Sequence, residues 1–338
     1  MATNNLKENT NWAALSLTRF VLAFVVMVWH LKEFANITSL QWLYNMGSFE
    51  AVLGFLLISG FSIGISISNN KEHFFKRRLQ RIYPVYLACI ALTVAIAGLH
   101  LNITGIATLI ANVFFLNQVV TEVSYIPAAW SLSLEVWLYC LAPLLLKLKK
   151  NQLLYLIGFS FLCYVLYTCG RTLFNWRYYA GIPFGLNLLL LSFIWLAGFN
   201  KATSYNKKQS NAIIGLLLLG TAGLTIAIQT AYRIKNHDID LLITDLPVFL
   251  GKTICLAIPY FTLVHNAKIT AFKPAFTKIA NLLGNISYPL YLSHAITFVF
   301  LKKMQVTNTS LYIITALVVG TVLYYIFDFY SRKRRRTY

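Results

Sequence analysis

Charge is the scarcest property of this chain. Only 10 of 338 residues are Asp or Glu, and charged residues of both signs make up 12% of the sequence, about half the share in soluble domains. A soluble fold is thereby excluded, because 58% of the residues are hydrophobic and must find lipid to face. Cysteine is sparse too. Cys89, Cys140, Cys163, Cys169 and Cys255 lie in or beside apolar runs, and none forms a CxxC pair or a His/Cys metal spacing. They read as small apolar fillers, and no metal centre is expected. The alternation and evenly spaced turns of a membrane barrel are missing, which leaves α-helices as the way to satisfy a backbone in lipid. Also missing are an internal repeat, a connection long enough for a separate soluble domain, and an A-x-A-like cleavage site after the first apolar run. Residues 1–338 therefore read as one membrane domain whose first run is a retained span.

What the chain has in quantity is long apolar runs, at 14–31, 50–68, 83–101, 130–146, 152–170, 180–199, 211–230, 243–265, 284–301 and 309–330. Each approaches the ~20 residues that cross a bilayer as a helix. The expectation is an all-α integral membrane protein with about ten transmembrane helices. Lys and Arg concentrate in alternate connections: Lys71, Lys76, Arg77, Arg78 and Arg81; Lys147, Lys149 and Lys150; Lys201, Lys207 and Lys208; Lys268, Lys273 and Lys278. Arg332, Lys333, Arg334, Arg335 and Arg336 continue the pattern at one end and Lys7 at the other. By the positive-inside rule both termini are cytoplasmic. The uncharged stretch 103–121 is either an eleventh span or a re-entrant segment. Counting it as a span reverses the charge bias, so a re-entrant or interface-lying segment on the outer side is expected. The net charge of +19 sits in these short clusters. It marks orientation among membrane lipids rather than a nucleic-acid partner.

Ionisable residues within spans are few and therefore informative. The run LTRFVLAFVVMVWHL, 17–31, is interrupted by Arg19 and His30. Eleven steps of roughly 100° bring both side chains to one helix face, about 16 Å apart along the axis. Alone, Arg19 also fits a snorkelling anchor and His30 an interfacial residue; the shared face argues for a joint task. Glu135 stands in WSLSLEVW, 130–137, about one turn into its span and at a depth similar to His30. Paired with His30, it would fix the imidazole tautomer and leave the other nitrogen as a base. Ser131 and Glu135 are four apart and share a face. In FFKRRLQRIYP, 74–84, Arg78 and Arg81 are three apart and, if helical, share a face from which a cytosolic phosphate could be gripped; Lys76 and Arg77 lie beside them. His294 sits mid-span in ISYPLYLSH, 286–294, where Pro289 loosens the helix. Lys252 is also mid-span, with Asp245 seven residues earlier as a distant partner. His73 and His237 read as loop residues, and His100 and His265 as residues at span ends. A multi-span transporter or a flippase for a lipid-linked glycan could use similar intramembrane charges, although many transporters show the repeat this chain lacks.

The ordered set Arg19-x10-His30, GFLLISGFSIG (54–64), KRRLQRIYP (76–84) with Arg78 and Arg81, WSLSLE (130–135) and ISYPLYLSH (286–294) resembles the family-3 membrane acyltransferases. That resemblance implies an O-acetyltransferase of the bacterial cytoplasmic (inner) membrane. Its donor would be acetyl-CoA, taken from the cytoplasm. Its acceptor would be a hydroxyl of a glycan such as lipopolysaccharide O-antigen or exopolysaccharide. Arg19 and His30 match the family's arginine–histidine pair, Arg78 and Arg81 its R-x-x-R motif, and Glu135 the acidic end of its WSLSxE motif. The catalytic set would be His30, Arg19 and Glu135. Arg78, Arg81, Arg77, Lys76 and Arg19 would bind the cofactor, and Trp130, Ser131, Ser133 and His294 would meet the substrate. The chain has no periplasmic esterase-like domain after its last run, so it resembles the stand-alone members. Glu50 stands near a position where small apolar residues are usual.

Overall fold

The computed structural model describes residues 10–98, 102–269 and 272–329. Lys7, His100 and the cluster Arg332, Lys333, Arg334, Arg335 and Arg336 lie outside them. The described residues form twelve α-helices. They are α1 (Trp12–Leu31), α2 (Gln41–Asn45), α3 (Ser48–Asn69), α4 (Phe74–Ala97), α5 (Ile103–Val113), α6 (Ala129–Leu145), α7 (Lys150–Phe174), α8 (Leu186–Thr203), α9 (Lys207–Lys235), α10 (Leu242–Val264), α11 (Pro274–Lys303) and α12 (Thr309–Leu323). A π-helical turn, Tyr324–Phe329, extends α12. No strand forms among the described residues; a single bridge joins Asn117 and Thr121.

Eight of these elements are long and apolar enough to cross a membrane. They account for all but two of the ten apolar runs. The run 130–146 becomes α6, whose 17 residues span only about 25 Å at ~1.5 Å each, short of a ~30 Å hydrocarbon layer. The run 284–301 is the more apolar half of α11, which buries Ser287, Ser293 and His294 among its neighbours. The run 180–199 starts late because Pro183 cannot donate a hydrogen bond and Gly185 takes a left-handed φ of 66° just before α8. Within 103–121, α5 has 11 residues, about 16 Å of rise, which is too short for an eleventh crossing. Beyond α5 the chain turns back, with positive φ at Phe115 (56°) and Gln118 (72°).

The outer surface shows why the chain needs lipid. Tyr155, Phe159, Leu162 and Leu166 form an exposed apolar stripe along α7, and Ile314, Val318 and Val322 form one on α12. Both follow the helical period. The inside is held by close backbone approach. A side chain placed at Gly60 of α3 would run into the Trp195 carbonyl of α8, and one at Gly198 of α8 would run into the Leu57 carbonyl of α3. Glycine is thus required on both sides of this crossing. A side chain at Gly284 of α11 would likewise strike Ser16 of α1. Farther along, His30 meets His294, so α11 runs parallel to α1 and keeps the two histidines level.

Gly60→Leu is expected to destabilise the protein by about 3 kcal/mol or more, since backbone rather than a mobile side chain blocks the space. Gly223→Leu, where nothing lies within 4 Å, is the control and should leave the unfolding temperature in detergent unchanged. Equal unfolding temperatures for the two variants would contradict this packing.

Candidate active site

The site is built on α1. Asn11 caps the helix by accepting the Ala14 N–H at 3.0 Å, and α1 then runs unbroken past Arg19 to His30. The two residues therefore keep the separation that their spacing implies. Toward the start of α1, the Arg19 guanidinium donates to Ser62 of α3. It lines a narrow cavity of about 120 Å³ with Ser59, Arg78, Arg81, Glu135 and Tyr139. Arg78 and Arg81 do share a face, near the start of α4, and that face turns into this cavity. Lys76 is exposed. Arg77 folds back onto the carbonyls of Glu72 and Asn70. Neither Lys76 nor Arg77 lines the cavity, so the basic cluster divides into two cavity arginines and two residues of the helix approach.

Glu135 is not at the level of His30 and does not pair with it. Its carboxylate accepts from the Ser59 and Tyr139 hydroxyls, inside the cavity that holds the three arginines. The depth expected for Glu135 rested on α6 starting at the membrane surface. Instead α6 starts in the interior: Ala128, Ala129 and Trp130 are all buried. Ser131 shares the Glu135 face and bonds the Tyr291 hydroxyl at 2.7 Å. Ser133 points elsewhere, toward the carbonyls of Phe115 and Asn117 (2.6 and 2.8 Å), and the Trp137 indole donates to Phe115 as well. Ser133 and Trp137 thus pin the irregular segment after α5.

The partner of His30 is His294. His294 Nδ1 lies 3.1 Å from the Leu290 carbonyl. A carbonyl only accepts, so Nδ1 carries the proton, and in the neutral ring Nε2 is an acceptor. His30 Nδ1 lies 2.9 Å from the Val26 carbonyl and 3.3 Å from His294 Nε2, so it too carries its proton and shares it between those two acceptors. The hydrogen-bond pattern therefore assigns the free lone pair of His30 to Nε2. Trp29 stands edge-on to His30, at 5.1 Å between ring centroids.

A second cavity, of about 380 Å³, opens beside Trp29. Its charged residues are Glu50, Lys252 and Arg171, and its walls include Tyr164, Tyr178 and Tyr179. Lys252 reaches Glu50 at 3.4 Å, not Asp245. Asp245 is held by Arg233 at 2.8 and 3.0 Å and by Gln229. In the sequence, Glu50 showed only as a carboxylate at the edge of its apolar run, near a position where small apolar residues are usual. Gly47 makes the fit possible: its φ is 77°, and a side chain there would occupy the place of the Glu50 carboxylate. Along α3, Glu50 and Ser59 are nine residues apart, so the two cavities lie at depths differing by about 14 Å. Neither histidine lines either cavity, but each adjoins a residue that does. Tyr291 lines the first cavity, with its ring 6.4 Å from His294, while Trp29 lines the second.

Residues 12–329 match the model of acyltransferase family 3, described as an acyltransferase domain. The chain belongs to this acyltransferase family. It is also similar to a viral protein provisionally named acetyltransferase ORF330, from Acidianus two-tailed virus, at 29% identity over 90 residues. The match takes in 26% of this chain and 27% of that relative. No solved structure matches the chain significantly. Family membership and the apolar helices together make this chain a multi-pass membrane protein. Sequence reasoning missed Ser59, Ser62, Tyr139, Tyr288 and Tyr291 as cavity residues. Their signal was positional: Tyr139 is one turn beyond Glu135, and Tyr291 is one turn before His294.

Lys252→Met is expected to cost about 3 kcal/mol, because it strands the buried Glu50 carboxylate. Adding Glu50→Gln should recover most of that loss. Thermal unfolding of the single and double variants in detergent checks this; additive losses would show that the pair is not coupled.

Proposed function

We propose that this acyltransferase carries an acetyl group from acetyl-CoA, bound from the cytoplasm, to a hydroxyl of a cell-surface glycan such as O-antigen or exopolysaccharide, in the bacterial cytoplasmic membrane. The observation that carries the reading is His30, with a free Nε2, adjoining Trp29 of the second cavity and bonded to His294, whose neighbour Tyr291 lines the first. Arg78, Arg81 and Arg19 suit the phosphates of CoA through charge-assisted hydrogen bonds. Both termini then face the cytoplasm, on the side of those arginines. Glu135, bonded by Ser59 and Tyr139, balances the arginine charge and shapes the donor cavity instead of orienting His30. Membership of an acyltransferase family favours transfer over transport.

The chemistry follows from the tautomer. An acceptor hydroxyl gives its proton to His30 Nε2 as its oxygen attacks the thioester carbonyl. The new imidazolium keeps its Nδ1 proton shared between the Val26 carbonyl and His294 Nε2, so the positive charge meets two lone pairs. The tetrahedral intermediate collapses, the C–S bond breaks, and His30 returns its proton to the departing CoA thiolate. The same Nε2 could instead take the acetyl group first, as an acyl-imidazole, and hand it to the acceptor. The direct route needs fewer steps and uses the proton path already present.

The acetyl-ester content of surface polysaccharide tests this reading. Deletion of the gene should remove the esters, the wild-type copy should restore them, and an equally expressed His30→Ala copy should not. Esters that persist in the deletion strain while the amount of glycan changes would favour transport.

A further inference from the structure

The second cavity carries charged groups that the transfer chemistry does not use. Glu50 is buried at 4% exposure, and its pairing with Lys252 spends two charges where an apolar pair would pack more cheaply. Such a pair offers a carboxylate that accepts hydroxyl protons and an ammonium that donates to hydroxyl oxygens. Arg171 is different. Arg177 pairs with Glu122, Arg233 with Asp245, and Lys252 with Glu50, whereas Arg171 has no carboxylate partner among the described residues. Its guanidinium lies over the rings of Tyr178 and Tyr179, at 4.8 and 5.0 Å, and its buried Nε has no hydrogen-bond partner. The two rings hold the guanidinium by cation–π contact, and its unpartnered Nε and its charge suit an anionic group. With Glu50 neutralised by Lys252, the cavity keeps one net positive charge. Thr168, Thr172, Thr225 and Gln229 add neutral hydrogen-bonding groups to its lining, and its volume suits a small polar ligand.

We infer that this cavity receives a carboxylate-bearing sugar unit of the acceptor, with the carboxylate on Arg171 and ring hydroxyls on Glu50 and Lys252. The inference rests on the acetyl-transfer reading and narrows it from glycans in general to acidic ones. The sugar ring packs against the tyrosine walls, and a neighbouring hydroxyl extends past Trp29 toward His30 Nε2. Arg171 is a specificity residue in this arrangement and takes no part in bond making.

The test uses the purified full-length protein and two acceptor probes: a glucuronate-containing oligosaccharide and the same oligosaccharide with its carboxyl groups reduced. Equilibrium binding is measured without acetyl-CoA, and acetyl transfer is measured with it. The wild type should bind the acidic probe at least tenfold more tightly and acetylate it with at least tenfold higher kcat/KM. Arg171→Gln should abolish both preferences through KM, with kcat little changed. Arg171→Lys, which keeps the charge but loses the planar fork, should give intermediate values and serves if the first variant fails to fold. Equal binding of the two probes, or a preference that survives both substitutions, would overturn the inference while leaving acetyl transfer intact. Arg171-dependent binding without any transfer would uphold the cavity assignment and overturn the acetyl-transfer reading. Absence of both binding and transfer would overturn both.

Discussion

The Nδ1–H of His30 points at two acceptors, the Val26 carbonyl one turn back on its own helix and the Nε2 of His294 on α11. His294 can accept only because its own Nδ1 is committed to the Leu290 carbonyl. This chain of bonds decides which nitrogen of His30 is free. It depends on α1 and α11 staying level. The close seat of Gly284 on Ser16 provides that, and Pro289 leaves α11 enough freedom to present His294 without a break in the helix. Two neutral imidazoles in sequence are suited to a buried setting, because no permanent charge has to be desolvated there.

Permanent charge is kept to either side of that pair. On one side three arginines surround a cavity whose carboxylate, Glu135, is already bonded by Ser59 and Tyr139. On the other, Glu50 and Lys252 neutralise each other and Arg171 makes cation–π contacts with two tyrosines. The α3 helix links the two regions. It starts at the second cavity, where Gly47 precedes it and Glu50 sits in its first turn, and it passes the first cavity with Ser59 and Ser62. Its glycine contact with α8 fixes its position in the bundle. The apolar stripes on α7 and α12 face outward, so the polar groups are concentrated where helices meet.

Much of this was legible in the sequence, and the failures have definite causes. The spacing of Arg19 and His30 predicted one helix face because α1 is regular and unbroken. The three-residue spacing of Arg78 and Arg81 predicted a shared face, since local helix geometry carries that information. Helix class and most of the apolar spans followed from composition and run length. The partner of His30 did not follow, because it depends on which helices pack together and at what register. Glu135 was placed at the wrong depth because α6 begins inside the protein after an irregular segment, and hydropathy cannot register a buried start. Spacing along the chain offers Lys252 only the distant Asp245, whereas its partner Glu50 lies about two hundred residues away on α3. Glu50 stood out in the sequence only as a carboxylate near a position where small apolar residues are usual, and its pairing with Lys252 depends on the fold.

Donor and acceptor are proposed to approach His30 from opposite sides of the membrane. The most direct measurement is acetyl transfer in sealed proteoliposomes of known protein orientation, with labelled acetyl-CoA and a glycan acceptor supplied on chosen sides. The account predicts transfer when acetyl-CoA is on the side of Arg78 and Arg81 and the acceptor is on the other, with little transfer when both are confined to one side. Equal transfer with both substrates on one side would contradict it.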